Sequence, residues 1–284
     1  MRLAYAGLDS TSPEAPVKTP QWLMAIVAAF ALAAIGAGPA AAQPRSVWID
    51  DLTWMEVRDA IAGGKTTAIV FVGSSEQNGP HMAIGKHNFI ARYCAEQIAG
   101  KLGDALVYPV IPFAITGDAA VKTAHMRFPG SVTLPPDVFS GVIRAVAQSA
   151  LSAGFRLVAL MGDHGGGQEE MARVAQALDA QSKKSGARVL YVGDLYTRAD
   201  AQFDELMAKR GITSKELHAG IPDTSAIMFL GADNWIRKDR IAAANEANGV
   251  QGSPALATPE LGKLYLDMKI ENAVNQIKVF RAGK

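Results

Sequence analysis

Only one cysteine, Cys94, stands in the 284 residues. An intrachain disulfide framework and a cysteine-rich zinc module are both excluded. Neither sign of charge is in excess: 28 Lys+Arg against 27 Asp+Glu leave +1. That balance argues against nucleic acid or a polybasic membrane surface as the main partner. Charged residues are few, 19% against 49% apolar, so the chain is not intrinsically disordered and can bury a core. No H-E-x-x-H is present, and the glycine-rich loop Gly162 to Gly167 neither ends in a Walker Lys-Ser/Thr nor reads G-x-G-x-x-G, which argues against the compact zincin signature and against a P-loop or dinucleotide loop there. After Pro44 there is no internal repeat, low-complexity stretch or long linker.

The longest apolar run is Leu23 to Gly36, preceded by Lys18 and followed by Gly38-Pro39-Ala40-Ala41-Ala42-Gln43. It is shorter than the ~20 residues of a spanning helix. An apolar core ending in small residues at an A-x-A site is what signal peptidase accepts. We therefore expect residues 1–42 to be a signal peptide cut after Ala42, the alternative being an uncleaved anchor. The segment holds two basic residues (Arg2, Lys18) and two acidic ones (Asp9, Glu14), so its removal leaves the charge at +1. The expected location is periplasmic or secreted, with no stable membrane span after cleavage. A lone cysteine suits such an oxidising space.

Residues 43–284 read as one α/β domain. Thr67 to Gly73, Ala105 to Ile111, Arg156 to Met161 and Ala187 to Val192 are β-prone runs. Between them, helical spacing covers Phe89 to Leu102, Val138 to Ala153 after the start signal Pro135-Pro136-Asp137, and Glu169 to Ser182. Strands alternating with helices predict βαβ units and a mainly parallel sheet covered on both faces. In such sheets function collects at the carboxyl ends of the strands. Two loops there carry glycines and ligand-type side chains: Gly73 to His81 and Gly162 to Gly167.

All five histidines fall in polar or glycine/proline-rich turns: His81, His87, His125, His164 and His218. Imidazole and carboxylate are the usual ligands of zinc and related metals. Glu76, His87 and His164 would form a three-ligand site with a position open to water. An alternative reading of the His164 loop is a phosphate cradle at a helix N-terminus. Cys94 is predicted on the apolar face of its helix. Lys86 reads as a solvated loop residue, and His81 and His125 as structural or supporting histidines.

At these residues the sequence resembles the creatininase (creatinine amidohydrolase) family. The signature G-S-x-E-Q-H-G-P-H-L-P stands as Gly73-Ser74-Ser75-Glu76-Gln77-Asn78-Gly79-Pro80-His81-Met82, with His87 where an aspartate follows in the family. F-P-G-T appears as Phe128-Pro129-Gly130-Ser131, with His125 just before it. N-G-H-G-G-N appears as Gly162-Asp163-His164-Gly165-Gly166-Gly167. H-A-G-x-x-E-T-S appears as His218-Ala219-Gly220-Ile221-Pro222-Asp223-Thr224-Ser225. Four motifs in order span Gly73 to Ser225.

The resemblance implies a three-layer α/β/α sandwich, often in a homo-oligomer, and metal-dependent hydrolysis of a non-peptide C–N bond in a small-molecule amide. Family members hold two divalent ions bridged by the aspartate. Carried over, Glu76 and His164 match ligands of the first ion, His218 a proton-transfer histidine and Asp223 an acidic position. Three departures bear on the second ion: Asn78 replaces a histidine, His87 the bridging aspartate, and Gly166 an acidic residue. A neutral imidazole binds one metal but does not bridge two. The expectation is thus one ion rather than two, zinc with manganese as the alternative, on Glu76, His87 and His164. A water activated by that ion would attack the amide carbon. Asp223 or Asp163 would take the proton and His218 return it to the leaving nitrogen, although Asp163 and Asp223 could instead complete the metal shell or orient a histidine. The competing reading is a catalytically degenerate relative that binds a metal or small ligand without turnover. A periplasmic solute-binding protein needs two lobes, for which the chain is too short.

Overall fold

The computed structural model describes residues 44–283, so the expected signal peptide lies outside the described residues. Four parallel strands form the sheet: β1 (Thr67–Val72), β2 (Ala105–Val107), β3 (Leu157–Gly162) and β4 (Arg188–Tyr191). Their order is β2-β1-β3-β4. All six residues of β1 are buried, as expected for a strand covered on both faces, where the sequence reads as an apolar run instead of alternating.

Alternate side chains enter two separate cores. Ile69, Phe71, Val107, Ala159 and Met161 face one side. There they meet helices α2 (Lys86–Leu102), α5 (Thr197–Lys209), α6 (Ile221–Trp235) and α7 (Pro259–Ala282). Ala68, Val70, Leu106, Val158 and Leu160 face the other side and meet α1 (Trp54–Ala62), α3 (Pro136–Ala153) and α4 (Gln168–Ser182). This is the anticipated three-layer α/β/α arrangement. Each fully buried Val, Leu, Ile or Phe contributes about 1.5–3 kcal/mol of burial free energy.

The second strand is shorter than its β-prone run. Pro109 supplies no N–H to a ladder, and pairing stops at Val107. Ile111 returns to the sheet through one bridge to Val72. Among the described residues, no helix is long and apolar enough to cross a membrane.

The topology fixes where a site can lie. From β1 the chain crosses to β2 on one side and then to β3 on the other. The strand order therefore reverses at the carboxyl ends of β1 and β3, which is where open α/β sheets bind their ligands. Val72 pairs with Gly162 at this point. The two motif loops leave the sheet side by side.

Candidate active site

Glu76 occupies the middle of the switch point and is fully buried. Its loop is held by its own polar groups. Asn78 Nδ2 donates to the carbonyls of Glu76 (2.9 Å) and Ala83 (3.0 Å). Asn78 therefore clamps the loop.

Four imidazoles surround the Glu76 carboxylate. His87 Nε2 lies 2.8 Å from Oε1 and His218 Nδ1 3.7 Å from the same oxygen. His164 Nδ1 lies 3.0 Å and His125 Nε2 3.5 Å from Oε2. The predicted trio Glu76, His87 and His164 is thus brought together, with ligating atoms within 4.8 Å of one another; Glu76, His125 and His218 make a second such group. His125 belongs to this centre, beyond the supporting role expected for it. His81 stays apart, buried and bonded to Thr224 Oγ1 at 3.0 Å. His87 sits in the first turn of α2, not in a loop.

What holds the far nitrogen of each ring sets which atom faces Glu76. His87 Nδ1–H donates to Asp163 Oδ2 at 2.6 Å. His164 Nε2–H donates to the Ile115 carbonyl at 3.0 Å, and His218 Nε2–H to the Gln77 carbonyl at 2.8 Å. His164 and His218 can each turn a lone pair toward the carboxylate, whereas His87 Nε2–H donates to Glu76 Oε1 at 2.8 Å and offers its lone pair there only on giving up that proton. His125 is set the other way. Gln77 Nε2 donates to the Gly249 carbonyl (3.0 Å) while its Oε1 accepts from Gly79 N (2.9 Å), so the amide orientation is fixed. That Nε2 also reaches His125 Nδ1 at 3.1 Å. His125 Nδ1 must accept, and its Nε2 presents an N–H.

The donor set fits a divalent cation. His164 Nδ1 and Glu76 Oε2 are two acceptors facing each other, and among the described residues Oε2 has no hydrogen-bond partner. A cation between them satisfies both, and one carboxylate with two imidazoles suits zinc or manganese.

Charges behind the carboxylate explain the protonation states. Burial favours neutral Glu76, but His87 and His164 outweigh it and hold its carboxyl well below the usual range. Burial and Lys86 oppose charging His87, yet Glu76 and Asp163 prevail and raise its pKa. Asp163 is buried and ion-paired on its other side with Lys269 Nζ at 2.9 Å. Burial would raise its pKa, and Lys269 with His87 drives it down instead. Asp163 therefore orients His87; of the roles the sequence left open, this is the one its contacts support. Asp223 Oδ2 accepts from Lys86 Nζ (2.6 Å) and Ala219 N (2.8 Å), so its charge is committed to Lys86. Lys86 is buried and not the solvated loop residue its sequence position suggests.

Gly166 has a steric cause. A Cβ there would lie 2.0 Å from the Ile115 carbonyl oxygen, the same oxygen that anchors His164. An acidic side chain at 166 cannot coexist with that anchor. Strain gathers at the second pair of histidines: Ala124 (φ 46°) and Ala219 (φ 54°) are left-handed, each adjoining a site imidazole, His125 and His218. Such outliers persist where the surroundings dictate them.

A cavity of about 410 Å³ opens over Glu76 and is lined by His125, His164, Tyr196, Asp200, His218 and Asp223, among others. It falls in the size range of small-molecule sites.

The metal-free protein is expected to lose stability as the pH falls from about 6.5 toward 4. Burial pushes His125 down to about 4 and, with Lys86, His218 down to about 3, from an ordinary 6.5. In that window the unfolded chain binds more protons than the native one, so acid favours unfolding. His87 has the opposite sign: its contribution is complete below its unfolded value and fades only as the pH rises through its raised folded one. Urea titrations at pH 7 and 4.5 check this; equal midpoints would contradict it.

The chain is similar to known proteins over most of its length. The family model for creatininase, described as creatinine amidohydrolase, matches residues 50–277. Creatinine amidohydrolase of Pseudomonas putida is 22% identical over 82% of this chain and 97% of its own length. Mycofactocin precursor peptide peptidase of Mycolicibacterium smegmatis is 25% identical over 74% of this chain and 83% of its own. Solved creatininases in a zinc–zinc form and a manganese form share the fold, each with TM-score 0.69 over 82% of this chain and 98% of theirs, at 21% and 22% identity. With the family model spanning most of the polypeptide and the motif loops meeting at one centre, the chain belongs to the creatininase family.

Proposed function

We propose that the chain is a metal-dependent hydrolase that cleaves a non-peptide C–N bond in a small amide or cyclic amide. The observation that carries this reading is the facing pair of acceptors, His164 Nδ1 and Glu76 Oε2, at the strand-order reversal. Glu76, His87 and His164 would hold the ion, zinc or manganese. A divalent ion in such a setting supplies Lewis acidity, polarising a carbonyl and lowering the pKa of water.

The remaining steps fall to this chain's own groups. His218 Nδ1 is an unprotonated acceptor on the cavity wall at neutral pH. It takes a proton from the attacking water and returns it to the departing nitrogen. Burial and Lys86 keep the ring neutral at rest, and Glu76 and Asp223 offset part of the cost of charging it. His125 Nε2–H is a fixed donor on the same wall. Asp163 keeps His87 turned toward the centre, and Lys269 keeps Asp163 ionised.

The cavity of about 410 Å³ has room for a small amide. Export to the periplasm or medium rests on the apolar run and A-x-A site of residues 1–42. Assembly into a homo-oligomer rests on the family resemblance.

The test is metal analysis with a panel of linear and cyclic amides, assayed for released amine or ammonia. The expected result is about one ion per chain and hydrolysis that a chelator stops and added zinc or manganese restores. Asn78, turned back into its own loop, and Gly166, with no room for a ligand, favour the degenerate-binder reading as the alternative. A tightly held ion with no product across the panel would establish that alternative.

A further inference from the structure

Lys86 is a buried cation with no part in the chemistry above. Its side chain is 1% exposed, with Nζ 2.6 Å from Asp223 Oδ2 and 3.7 Å from Glu76 Oε1. Its position is doubly unfavourable. It is the first residue of α2, the end of a helix that repels positive charge. Removing an ammonium from water is also costly unless anions surround it. Among the described residues, the two carboxylates it faces are what offset these terms.

Those carboxylates would otherwise draw another cation. Glu76, with His125 and His218, forms a second group whose ligating atoms lie within 4.8 Å of one another. His125 presents an N–H where a lone pair is needed. It is therefore not a ligand there, which leaves Glu76, His218 and Asp223 around the space that the Lys86 ammonium fills. Lys86 places a full positive charge beside Glu76 Oε1, and a divalent ion on that side would meet it at close range, away from bulk water.

We propose that Lys86 is a resident second cation. Its ammonium stands between Glu76 and Asp223 in place of a second metal ion and restricts the centre to one divalent ion. The inference rests on the metal-centre reading above and adds what sets the ion count. Asp223 thereby gains a definite role, holding the ammonium in place through Oδ2.

Zinc titration of the metal-free chain, followed by calorimetry and by zinc content after dialysis, tests this. The wild type is expected to bind one zinc. Lys86→Met, of similar length and without charge, is expected to bind two, because Glu76 and Asp223 are released. Adding Asp223→Asn to that variant should return the count to one. Lys86→Arg, which keeps the charge, should remain at one and keeps the test decisive if Lys86→Met fails to fold. Two ions in the wild type or in Lys86→Arg, or one in a folded Lys86→Met, would overturn the proposal alone. No ion in the wild type would overturn it together with the reading it rests on.

Discussion

Replacing Glu76 by glutamine is expected to empty the metal site and stop turnover together. The carboxylate is the common neighbour of four imidazoles: His87 at 2.8 Å, His164 at 3.0 Å, His125 at 3.5 Å and His218 at 3.7 Å. An amide of the same shape lacks the negative charge that makes three lone-pair donors into a cation site. It also brings an NH₂ group, which satisfies His87 or His164 without any ion. Loss of a partner behind a ligand typically weakens metal affinity about 10–100-fold; loss of the shared ligand should exceed that. Ion content by mass spectrometry and amide hydrolysis should fall to background in the same preparation, while circular dichroism stays native. A Glu76→Gln protein that kept its ion would remove this carboxylate from the centre.

Lys269→Met is expected to give the largest loss of stability. Lys269 is buried on α7, 2.9 Å from Asp163 and 3.9 Å from Asp200, with its ammonium 4.5 Å from the Tyr265 ring centroid. Removing it leaves the Asp163 carboxylate buried without its strongest compensation. Breaking one partner of a buried pair costs about 3–5 kcal/mol. At roughly 2–4 °C per kcal/mol for a domain of this size, Tm should drop by about 6–20 °C. The double replacement Asp163→Asn with Lys269→Met removes both charges, so it should be milder in stability. It should still bind zinc about 10–100-fold more weakly, because His87 loses its carboxylate anchor. Thermal melts and zinc titrations of the three proteins separate these effects. If the single variant melted with the wild type, the ion pair would not be part of the folded core.

Much of this centre is legible in the chain. Glu76, His87 and His164 each follow a strand end or open a helix beside glycines, and the alternation of strands and helices brings such segments to one edge. The parallel sheet is legible from four apolar runs. Helices α5, α6 and α7 are not legible in the same way. Much of their burial is against one another and against α2, a contact that no local periodicity reveals. Lys86 and Lys269 escape notice as parts of the centre because a lysine is normally a surface residue. Signals exist for both. Lys269 lies on the apolar stripe Leu266, Ile270, Ala273 and Ile277 of its helix, where a cation requires a buried anion. Lys86 opens a helix, the wrong end for its charge. The tautomer of His125 depends on Gln77 and Gly249, which lie 172 residues apart, and so is beyond any local pattern.

A crystal structure of the zinc-loaded protein, with the ion located by its anomalous signal, tests the central claim most directly. One ion is expected about 2.0–2.2 Å from a Glu76 carboxylate oxygen, His87 Nε2 and His164 Nδ1, with the Lys86 ammonium still bonded to Asp223. An ion bound elsewhere, or none at saturating zinc with His87 Nε2 still on Glu76, would contradict the account.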